Sequence, residues 1–328
     1  MTSELTAASP DIMADARPTL PRRWAAYLAE RFPVLGHGVL IFSFYSSNQF
    51  LAHALTAPGE PMQYNVGSLL GCLTIFFFFL HLRIFDDHKD YADDCRHFPD
   101  RILQRGVVTL RELKWLGALA LVLELTFATI CGPAALAATL IAVGFSVLML
   151  KEFFARDWLR RRFLLYASVH MLVMPLLAMI VYSFATRQFP WSAPVWYWPS
   201  SFGGFFVAFN WEVSRKIRAP EEEIDGVDSY TKRFGQFGAA YVVLGVRIVD
   251  TALVALVGWH LGLSRMFYGL LIALFLVCMI GFFQYRFGPS PRTARRMATY
   301  AGIYIFAFDL ILAVELGCTH GILFSGDW

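Results

Sequence analysis

The most constraining feature of the sequence is a series of nine apolar segments, each about 17–25 residues long. A helix of about 20 apolar residues spans the hydrocarbon core of a bilayer and satisfies its backbone polar groups internally. Charged residues make up only 16% of the chain, whereas soluble domains contain about 25%. The sequence therefore predicts an all-α fold, a polytopic membrane helical bundle with about nine transmembrane helices. The segments lie near 35–55, 66–84, 115–132, 134–150, 163–185, 196–212, 237–260, 266–285 and 297–319.

The chain before the first apolar segment is polar and rich in arginine and proline. We expect residues 1–34 to form a partly flexible cytoplasmic tail, with room for one surface helix, ahead of a single transmembrane domain over 35–328. The five cysteines show no C-x-x-C spacing and fall mostly inside apolar segments. We interpret them as small hydrophobic side chains and not as disulfides or a zinc site.

The basic residues indicate the orientation of the chain in the membrane. Of the 28 Lys and Arg, 25 lie in the N-terminal tail or after the second, fourth, sixth and eighth apolar segments. Because Lys and Arg favour cytoplasmic loops, we predict that the N-terminus and these loops are cytoplasmic, in a multi-pass protein of the cell membrane. The net charge of +3 follows from this topology and gives no reason to propose nucleic acid as a partner.

The acidic residues form two clusters, in the predicted cytoplasmic loops 83–114 and 212–236. Since both loops lie on one side of the membrane, the two clusters can converge over one cavity. The first cluster contains Asp86, Asp87, Asp90, Asp93, Asp94 and Asp100. The second contains Glu212, Glu221, Glu222, Glu223, Asp225 and Asp228.

Helical spacing within the first cluster favours a magnesium site. Asp87, Asp90 and Asp94 are three and four residues apart, which stacks carboxylates on one helix face where they repel each other. Mg²⁺ relieves such repulsion, since it takes hard oxygen ligands and bridges carboxylates to substrate phosphates. The loop also offers cations that can bind a phosphate directly, namely Arg83, Lys89, Arg101 and Arg105. The alternative is a solvated loop in which these cations only balance the acids.

The first cluster also carries a family resemblance. Asp86-Asp87-x-x-Asp90-x-x-x-Asp94, followed by Asp100-Arg101-Ile-Leu-Gln-Arg105-Gly106, resembles the first signature of the UbiA superfamily of intramembrane prenyltransferases. That signature reads N-D-x-x-D-x-x-x-D, so Asp86 replaces an asparagine and keeps an oxygen ligand. The resemblance implies a nine-helix fold with motif loops after helices 2 and 6, which agrees with the predicted topology.

The second cluster departs from the pattern of that family, which has D-x-x-x-D before a glycine and a Phe-Gly pair. Alignment on Gly226, Ser229 and Phe234-Gly235 puts Glu222 on the second aspartate and Arg218 on the first. A guanidinium cannot ligate a metal ion. Either another acid replaces the ligand, or the cations of this loop bind diphosphate instead; a third alternative is an ordinary basic anchor of the sixth helix. The acids are Glu212, Asp225 and Asp228, and the cations are Arg215, Lys216 and Arg218.

The resemblance implies an activity and a set of site residues. It implies Mg²⁺-dependent transfer of an isoprenyl group from a prenyl diphosphate to an aromatic or lipid-like acceptor, at a catalytic set of Asp87, Asp90, Asp94, Glu222 and Asp225. The implied metal ligands are Asp86, Asp87, Asp90, Asp94, Glu222, Asp225 and Asp228. The implied diphosphate-binding residues are Arg83, Lys89, Arg101, Arg105, Lys151, Lys216 and Arg218, where Lys151 fits the lysine of a Tyr-x-x-x-Lys motif and is equally well a membrane anchor.

Other functions remain alternatives at this stage. A membrane terpene cyclase would use the same metal site. A transporter would favour charged groups at mid-bilayer, whereas this chain concentrates its acids at one interface.

Polar residues inside the helices are a separate feature: we expect Arg247 to pair with Asp250, and we interpret His81 as a structural histidine or as a residue bordering the site.

Overall fold

The computed structural model describes residues 18–223 and 229–326, and over these ranges the protein is a helical bundle. Nine helical segments match the nine apolar segments, and one of them is divided at Leu172 into α8 and α9. The helices are α1 (Leu20–Arg31), α2 (Val34–Thr56), α3 (Val66–Lys89), α4 (Tyr91–His97), α5 (Leu110–Cys131), α6 (Pro133–Leu150), α7 (Arg156–Arg160), α8 (Phe163–Met171), α9 (Val173–Thr186), α10 (Tyr197–Arg215), α11 (Tyr230–Leu261), α12 (Arg265–Phe287) and α13 (Pro291–His320).

Seven segments in the described part of the chain are long and apolar enough to cross a membrane. They are α3, α5, α6, α8 with α9, α11, α12 and α13. The other two of the nine, α2 and α10, contain more polar residues, and several of these are buried in the bundle. In α2, the polar run from Ser46 to Gln49 is buried. The protein is therefore a multi-pass membrane helical bundle, as predicted.

Buried hydrogen bonds attach α2 to its neighbours. The hydroxyl of Ser47 donates to the carboxyl group of Asp309 on α13 over 2.5 Å, and the amide of Gln49 donates to Ser68 on α3 over 2.9 Å. In a membrane, burial of apolar surface does not drive helix association, so packing and such polar contacts specify which helices meet.

Capping residues define where the long helices begin. Asn65 and Ser68 form a reciprocal capping box at the start of α3, and Thr109 forms one with Glu112 at the start of α5. These side chains satisfy backbone N–H groups that have no partner within the helix. They therefore define the residues at which α3 and α5 begin.

The two ends of the bundle differ. A pair of short parallel strands, β1 (Met62–Tyr64) and β2 (Ile322–Phe324), ties the α2–α3 connection to the C-terminal segment after α13. The opposite end carries both acidic clusters and is called the motif end below.

Helix α1 lies at the motif end and is docked there. Tyr27 and Phe32 are buried against the bundle, and Arg23 forms an ion pair with Glu112 over 2.5 Å. The sequence left room for a surface helix in the N-terminal segment; the structure packs that helix onto the first motif loop. Residues 1–17 of the expected tail lie outside the described residues.

Candidate active site

The carboxylates of the first acidic cluster point to two different sides of the polypeptide. Helix α3 ends at Lys89, and Asp90 joins it to α4. Asp87 and Asp94 face α1 and the segment after α4, whereas Asp86 and Asp90 lie on the side of Lys89. The expected single row of carboxylates is therefore split into two pairs.

Asp87 is enclosed by partners. Its side chain is 2% exposed and accepts hydrogen bonds from the Tyr27 hydroxyl over 2.7 Å, from Arg31 over 2.6 Å and from Arg83 over 2.5 Å. Burial, reinforced by the charge of Asp87, raises the pKa of Tyr27, so this hydroxyl stays a donor. Three charge-assisted or buried donors satisfy Asp87, as a buried carboxylate requires.

Asp94 extends the same ionic network. Arg101 donates to Asp94 over 2.5 Å and stacks on the ring of Phe98, with 3.9 Å between the guanidinium carbon and the ring centroid. Arg31 also approaches Asp94, at 3.9 Å. Arg105, another predicted diphosphate ligand, binds Glu30 on α1 instead, over 3.3 Å. Helix α1 therefore contacts the first motif at Asp87, Asp94 and Arg105.

Asp86 and Asp90 form the more available pair. Asp86 is half exposed and binds the buried ammonium of Lys89 at 3.0 Å. Among the described residues, the side-chain carboxylate of Asp90 has no hydrogen-bond or ion-pair partner. Burial raises the pKa of Asp90, and the charges of Asp86, Asp94 and Glu152 add to that shift while Lys89 opposes it. Such crowding of negative charge is what a bound cation would relieve.

The turn after α6 brings a further acid to this side of the first cluster. Glu152 is 3% exposed, while the neighbouring Lys151, the predicted diphosphate ligand, is exposed at the end of α6. Arg156 approaches Glu152 at 3.0 Å and Arg160 at 3.7 Å. Both arginines also reach Asp93 of α4, at 3.9 and 3.5 Å, and so connect the turn to the first cluster.

Two side chains of α8 complete this side of the site. Tyr166 interacts with Lys89, and His170 lies within electrostatic reach of Lys89, Asp86 and Glu152. His170 Nδ1 bonds to the carbonyl oxygen of Tyr166 over 2.8 Å, so that nitrogen carries the hydrogen. Its Nε2 atom is buried without a partner among the described residues.

The described charged side chains of the second loop bind one another or the backbone of the same loop. Glu212 at the end of α10 is buried and bound by Arg215 over 2.6 Å and by Lys216 over 2.6 Å. Arg218 donates to the backbone carbonyl of Glu222 over 3.1 Å. Each of these cations that the sequence assigned to diphosphate thus has a protein partner in this structure.

Glu223, which the sequence analysis counted in the cluster but gave no role, is the acid that organises this loop. Its carboxylate accepts a hydrogen bond from Ser229 over 2.7 Å and another from Thr231. Pro220 begins a three-residue turn, and its ring prevents α10 from continuing through this segment. Asp225 and Asp228 lie outside the described residues, so their predicted roles are untouched by the structure.

Magnesium was predicted at these acids, and the structure shows how well the described side chains suit it. The described residues contain no group of three His, Cys, Asp or Glu side chains already placed to hold a metal ion. The donor chemistry nevertheless fits Mg²⁺, because Asp86 and Asp90 are hard oxygen donors and Asp90 is uncompensated. The remaining first-motif ligands, Asp87 and Asp94, are occupied by arginines.

Sequence reasoning missed several contributors to the site. Tyr27, Glu30 and Arg31 escaped notice because the segment before the first apolar run was treated as a tail, although their spacing of three and four residues places them on one helix face. Glu152 escaped notice because it lies outside both acidic clusters. No local pattern could have revealed it, since only packing turns this side chain inward.

Arg247 and His81 lie within membrane segments, and both are paired. Arg247 binds Asp250 over 3.1 Å, as predicted, and also donates to Asn210 over 2.7 Å. His81 bonds through Nδ1 to Glu124 over 2.7 Å and through Nε2 to Ser146 over 3.0 Å.

This His81 network connects α3 with α5 and α6. His81 and both of its partners are fully buried. These contacts give His81 a structural role.

No protein-family model and no curated protein matches the sequence, whereas solved structures match the fold closely. A UbiA homologue from Aeropyrum pernix K1, without ligand, aligns with a TM-score of 0.64 and 15% identity over 85% of this chain and 98% of that chain. A UbiA homologue from Archaeoglobus fulgidus, bound to DMAPP and Mg²⁺, gives 0.56 and 17% over 88% and 98%. A structure of digeranylgeranylglyceryl phosphate synthase gives 0.58 and 18% over 90% and 99%.

These alignments define the class of the protein. It is a multi-pass membrane protein built as a single helical bundle over most of its length. The particular bundle is the fold of the UbiA homologues, which confirms at the level of the fold the resemblance seen in the first motif.

Proposed function

We propose that this protein is a membrane prenyltransferase, which transfers an isoprenyl group from a prenyl diphosphate to an aromatic or lipid-like acceptor and releases diphosphate. The observation that most supports the proposal is the placement of Asp86, Asp87, Asp90 and Asp94 from the end of α3 into α4, in a chain with the fold of a UbiA homologue bound to DMAPP and Mg²⁺. The allylic cation of a prenyl transfer reacts readily with water, and the apolar interior of such a bundle excludes water.

Asp86 and Asp90 are the residues that would hold Mg²⁺, because they have fewer protein partners than Asp87 and Asp94 of the same motif. When bound, Mg²⁺ neutralises charge on the departing diphosphate. The second loop can add ligands through Asp225 or Asp228, and this part of the proposal rests on the sequence alone.

The chain's own cations would orient and stabilise the diphosphate. Lys89 is buried beside Asp86, and Arg83, Arg31 and Arg101 surround Asp87 and Asp94. Preorganised cations in a site shielded from water stabilise developing negative charge strongly, because little reorganisation is needed when the charge forms. A bound diphosphate would take the place of Asp87 and Asp94 as the partner of these guanidinium groups.

The aromatic interior would receive the prenyl chain. Phe78 is fully buried in α3, and Phe205 and Phe209 of α10 stack at 6.1 Å between ring centroids. Aromatic faces stabilise an allylic cation and exclude the water that would quench it. Phe202, by contrast, is 40% exposed and is a packing or lipid-facing residue.

The orientation is part of the proposal. The concentration of Lys and Arg at the motif end supports a cytoplasmic position for the N-terminus and both motif loops, in the cell membrane. A prenyl diphosphate is a charged metabolite, so a cytoplasmic entrance gives it access to the site without crossing the bilayer.

The test is incubation of the purified protein with labelled dimethylallyl, geranyl and geranylgeranyl diphosphates and Mg²⁺, with and without a lipid extract of cells that express it. We expect a labelled lipid product and free diphosphate that depend on both Mg²⁺ and the extract. Cyclic hydrocarbons or alcohols formed without the extract would establish the terpene cyclase alternative. Absence of any diphosphate release under all conditions would contradict the proposal.

A further inference from the structure

We propose that the segment between α6 and α8, residues 151–162, binds the phosphate group of an anionic lipid in the leaflet at the motif end. Arg161 and Arg162 would bind the lipid phosphate, while Trp158 and Phe154 would lie at the boundary between headgroups and acyl chains. This surface is separate from the acidic motifs, and the inference holds whether or not the protein is a prenyltransferase.

The attachment of this segment at both ends keeps it at the membrane surface. It follows α6 and precedes α8, and both helices belong to stretches long and apolar enough to cross a membrane. Arg156 and Arg160 approach Asp93 of α4 at 3.9 and 3.5 Å, which places the segment at the motif end. So short a connection between two crossings lies in the headgroup region, where basic side chains meet anionic lipids.

Helix α7, within this segment, is held in one orientation. Leu159 is 3% exposed, and Arg156 and Arg160 bind the buried Glu152 at 3.0 and 3.7 Å. These contacts define the side of α7 that faces the bundle. The exposed side chains on α7 and directly after it that take no part in them are Asp157, Trp158, Arg161 and Arg162.

The two arginines after α7 have charge available for an anion. Within the part of the chain that the structure describes, the Arg161 side chain has no hydrogen-bond or ion-pair partner. The Arg162 guanidinium lies 4.1 Å from the ring centroid of Trp158 and donates to the Trp158 carbonyl over 3.2 Å, so no carboxylate neutralises it. Both arginines line an open recess of about 590 Å³ with Trp158 and Asp157. The recess thus has a net positive charge, and guanidinium groups suit a phosphate because they donate several hydrogen bonds in one plane.

Exposed aromatic rings beside these cations favour a lipid over a free anion. Trp158 is 51% exposed and Phe154 is 80% exposed. Glu152, Phe153 and Phe154 have φ angles of 46°, 53° and 56°, in the left-handed region that residues with a β-carbon rarely adopt. This turn buries Glu152 and leaves Phe154 outside. Aromatic rings next to basic groups are typical of segments that lie in the membrane interface, where one end of the ring is apolar and the other is wet.

The experiment is a lipid titration of the full-length protein in detergent, read by native mass spectrometry. The probes are phosphatidylglycerol, which is anionic, and phosphatidylcholine with the same acyl chains, which has no net charge. We expect the first phosphatidylglycerol to bind more tightly than the first phosphatidylcholine. Arg161→Gln combined with Arg162→Gln should weaken phosphatidylglycerol binding about thirtyfold, since each basic residue at an anionic surface contributes about fivefold, or about 1 kcal/mol. Trp158→Ala should also weaken it, because the lipid loses contact with the ring.

Two double variants serve as controls. Arg187→Gln with Arg265→Gln removes the same charge from exposed side chains at the opposite end and should keep phosphatidylglycerol binding within about twofold of the wild type, less than the effect of one basic residue at the site. Arg161→Lys with Arg162→Lys keeps the charge and should retain most of the binding, which separates loss of the site from misfolding.

Three results would overturn the inference: equal affinity of the wild type for the two lipids, unchanged phosphatidylglycerol binding in the Arg161→Gln and Arg162→Gln double variant, or an equal loss in the control at the opposite end. Displacement of the lipid by inorganic phosphate, together with unchanged binding in Trp158→Ala, would also overturn it, because the arginines would then bind a free anion.

Discussion

Arg31 and Asp87, which are 56 residues apart in the chain, form an ion pair of 2.6 Å that fastens helix α1 to the first acidic motif. Arg31 also lies 3.9 Å from Asp94, so one guanidinium joins two carboxylates of that motif. The N-terminal helix is therefore part of the candidate site, and its removal would change the charge balance there.

We predict that Arg31→Ala destabilises the protein by about 1–3 kcal/mol, the cost of weakening charged hydrogen bonds to a buried carboxylate. Arg83 and Tyr27 still bind Asp87 in this variant, which keeps the loss below that of an isolated buried charge. The measurement is the thermal unfolding midpoint in detergent. Arg22→Ala on the exposed face of the same helix is the control and should leave the midpoint unchanged; equal midpoints for the two variants would contradict the role of Arg31.

Cation binding should depend on pH through Asp90. Burial and the neighbouring acids raise the pKa of Asp90, so this carboxyl keeps its proton to a higher pH than a free aspartate. Because Mg²⁺ binds the deprotonated form, its affinity should increase as pH rises through that raised pKa and be lost below it. The same shift means that protonation of Asp90 favours the folded state without metal.

Mg²⁺-dependent binding of a prenyl thiolodiphosphate, measured from the ordinary aspartate pKa of about 4 upward, checks this prediction. Asp90→Asn should bind Mg²⁺ more weakly and with a flatter pH dependence than the wild type. An unchanged slope in that variant would assign the titration to another group.

The buried His81–Glu124 pair should contribute to stability and not to substrate binding. Glu124→Ala leaves His81 Nδ1 without its partner at 2.7 Å, in a fully buried position. We expect a loss of about 1–3 kcal/mol, the cost of an unsatisfied buried donor. Glu124→Gln can still accept the hydrogen bond and should lose less. Thermal unfolding in detergent measures both, and binding of a prenyl thiolodiphosphate should be retained in the folded fraction.

Close helix packing at Gly71 gives a steric prediction. A β-carbon at Gly71 would lie 2.8 Å from the ring of Tyr45 and 2.9 Å from that of Phe184, so Gly71→Ala must displace one of these buried rings or the helix that carries it. Overpacking of this kind costs about 1–3 kcal/mol. Gly144→Ala is the control in α6, because no atom lies within 4 Å of the added carbon. A drop in the unfolding midpoint for Gly71→Ala alone would verify the contact, and equal midpoints would refute it.

Much of the fold could be predicted from the sequence because a bilayer imposes a simple rule. Each crossing needs a long apolar helix, so the nine segments and their order could be predicted from the distribution of apolar residues along the sequence. The same holds for the Arg247–Asp250 pair, where three-residue spacing on one helix suffices to bring the two charges together. Local patterns of this kind can be recognised without knowledge of which helices pack against each other.

The candidate site could be predicted only in part from the sequence. The first motif was visible from its aspartates, but their division into an occupied pair and an available pair depends on α1, which contributes Tyr27 and Arg31. The role of Glu223 depends on how Ser229 and Thr231 fold back over it. Such contacts join residues that no periodicity relates.

Segment length and charge placement are set by the solvent that each segment meets, so a membrane bundle with aspartate-rich loops at one end could be predicted without coordinates. Which of those charges remain available became clear from the packing of the helices. Asp87 is neutralised by a helix that looked like a tail, and Glu152 is turned inward by a strained turn. The physical reason is that the environment of a charge depends on its neighbours in space, and those are chosen by packing.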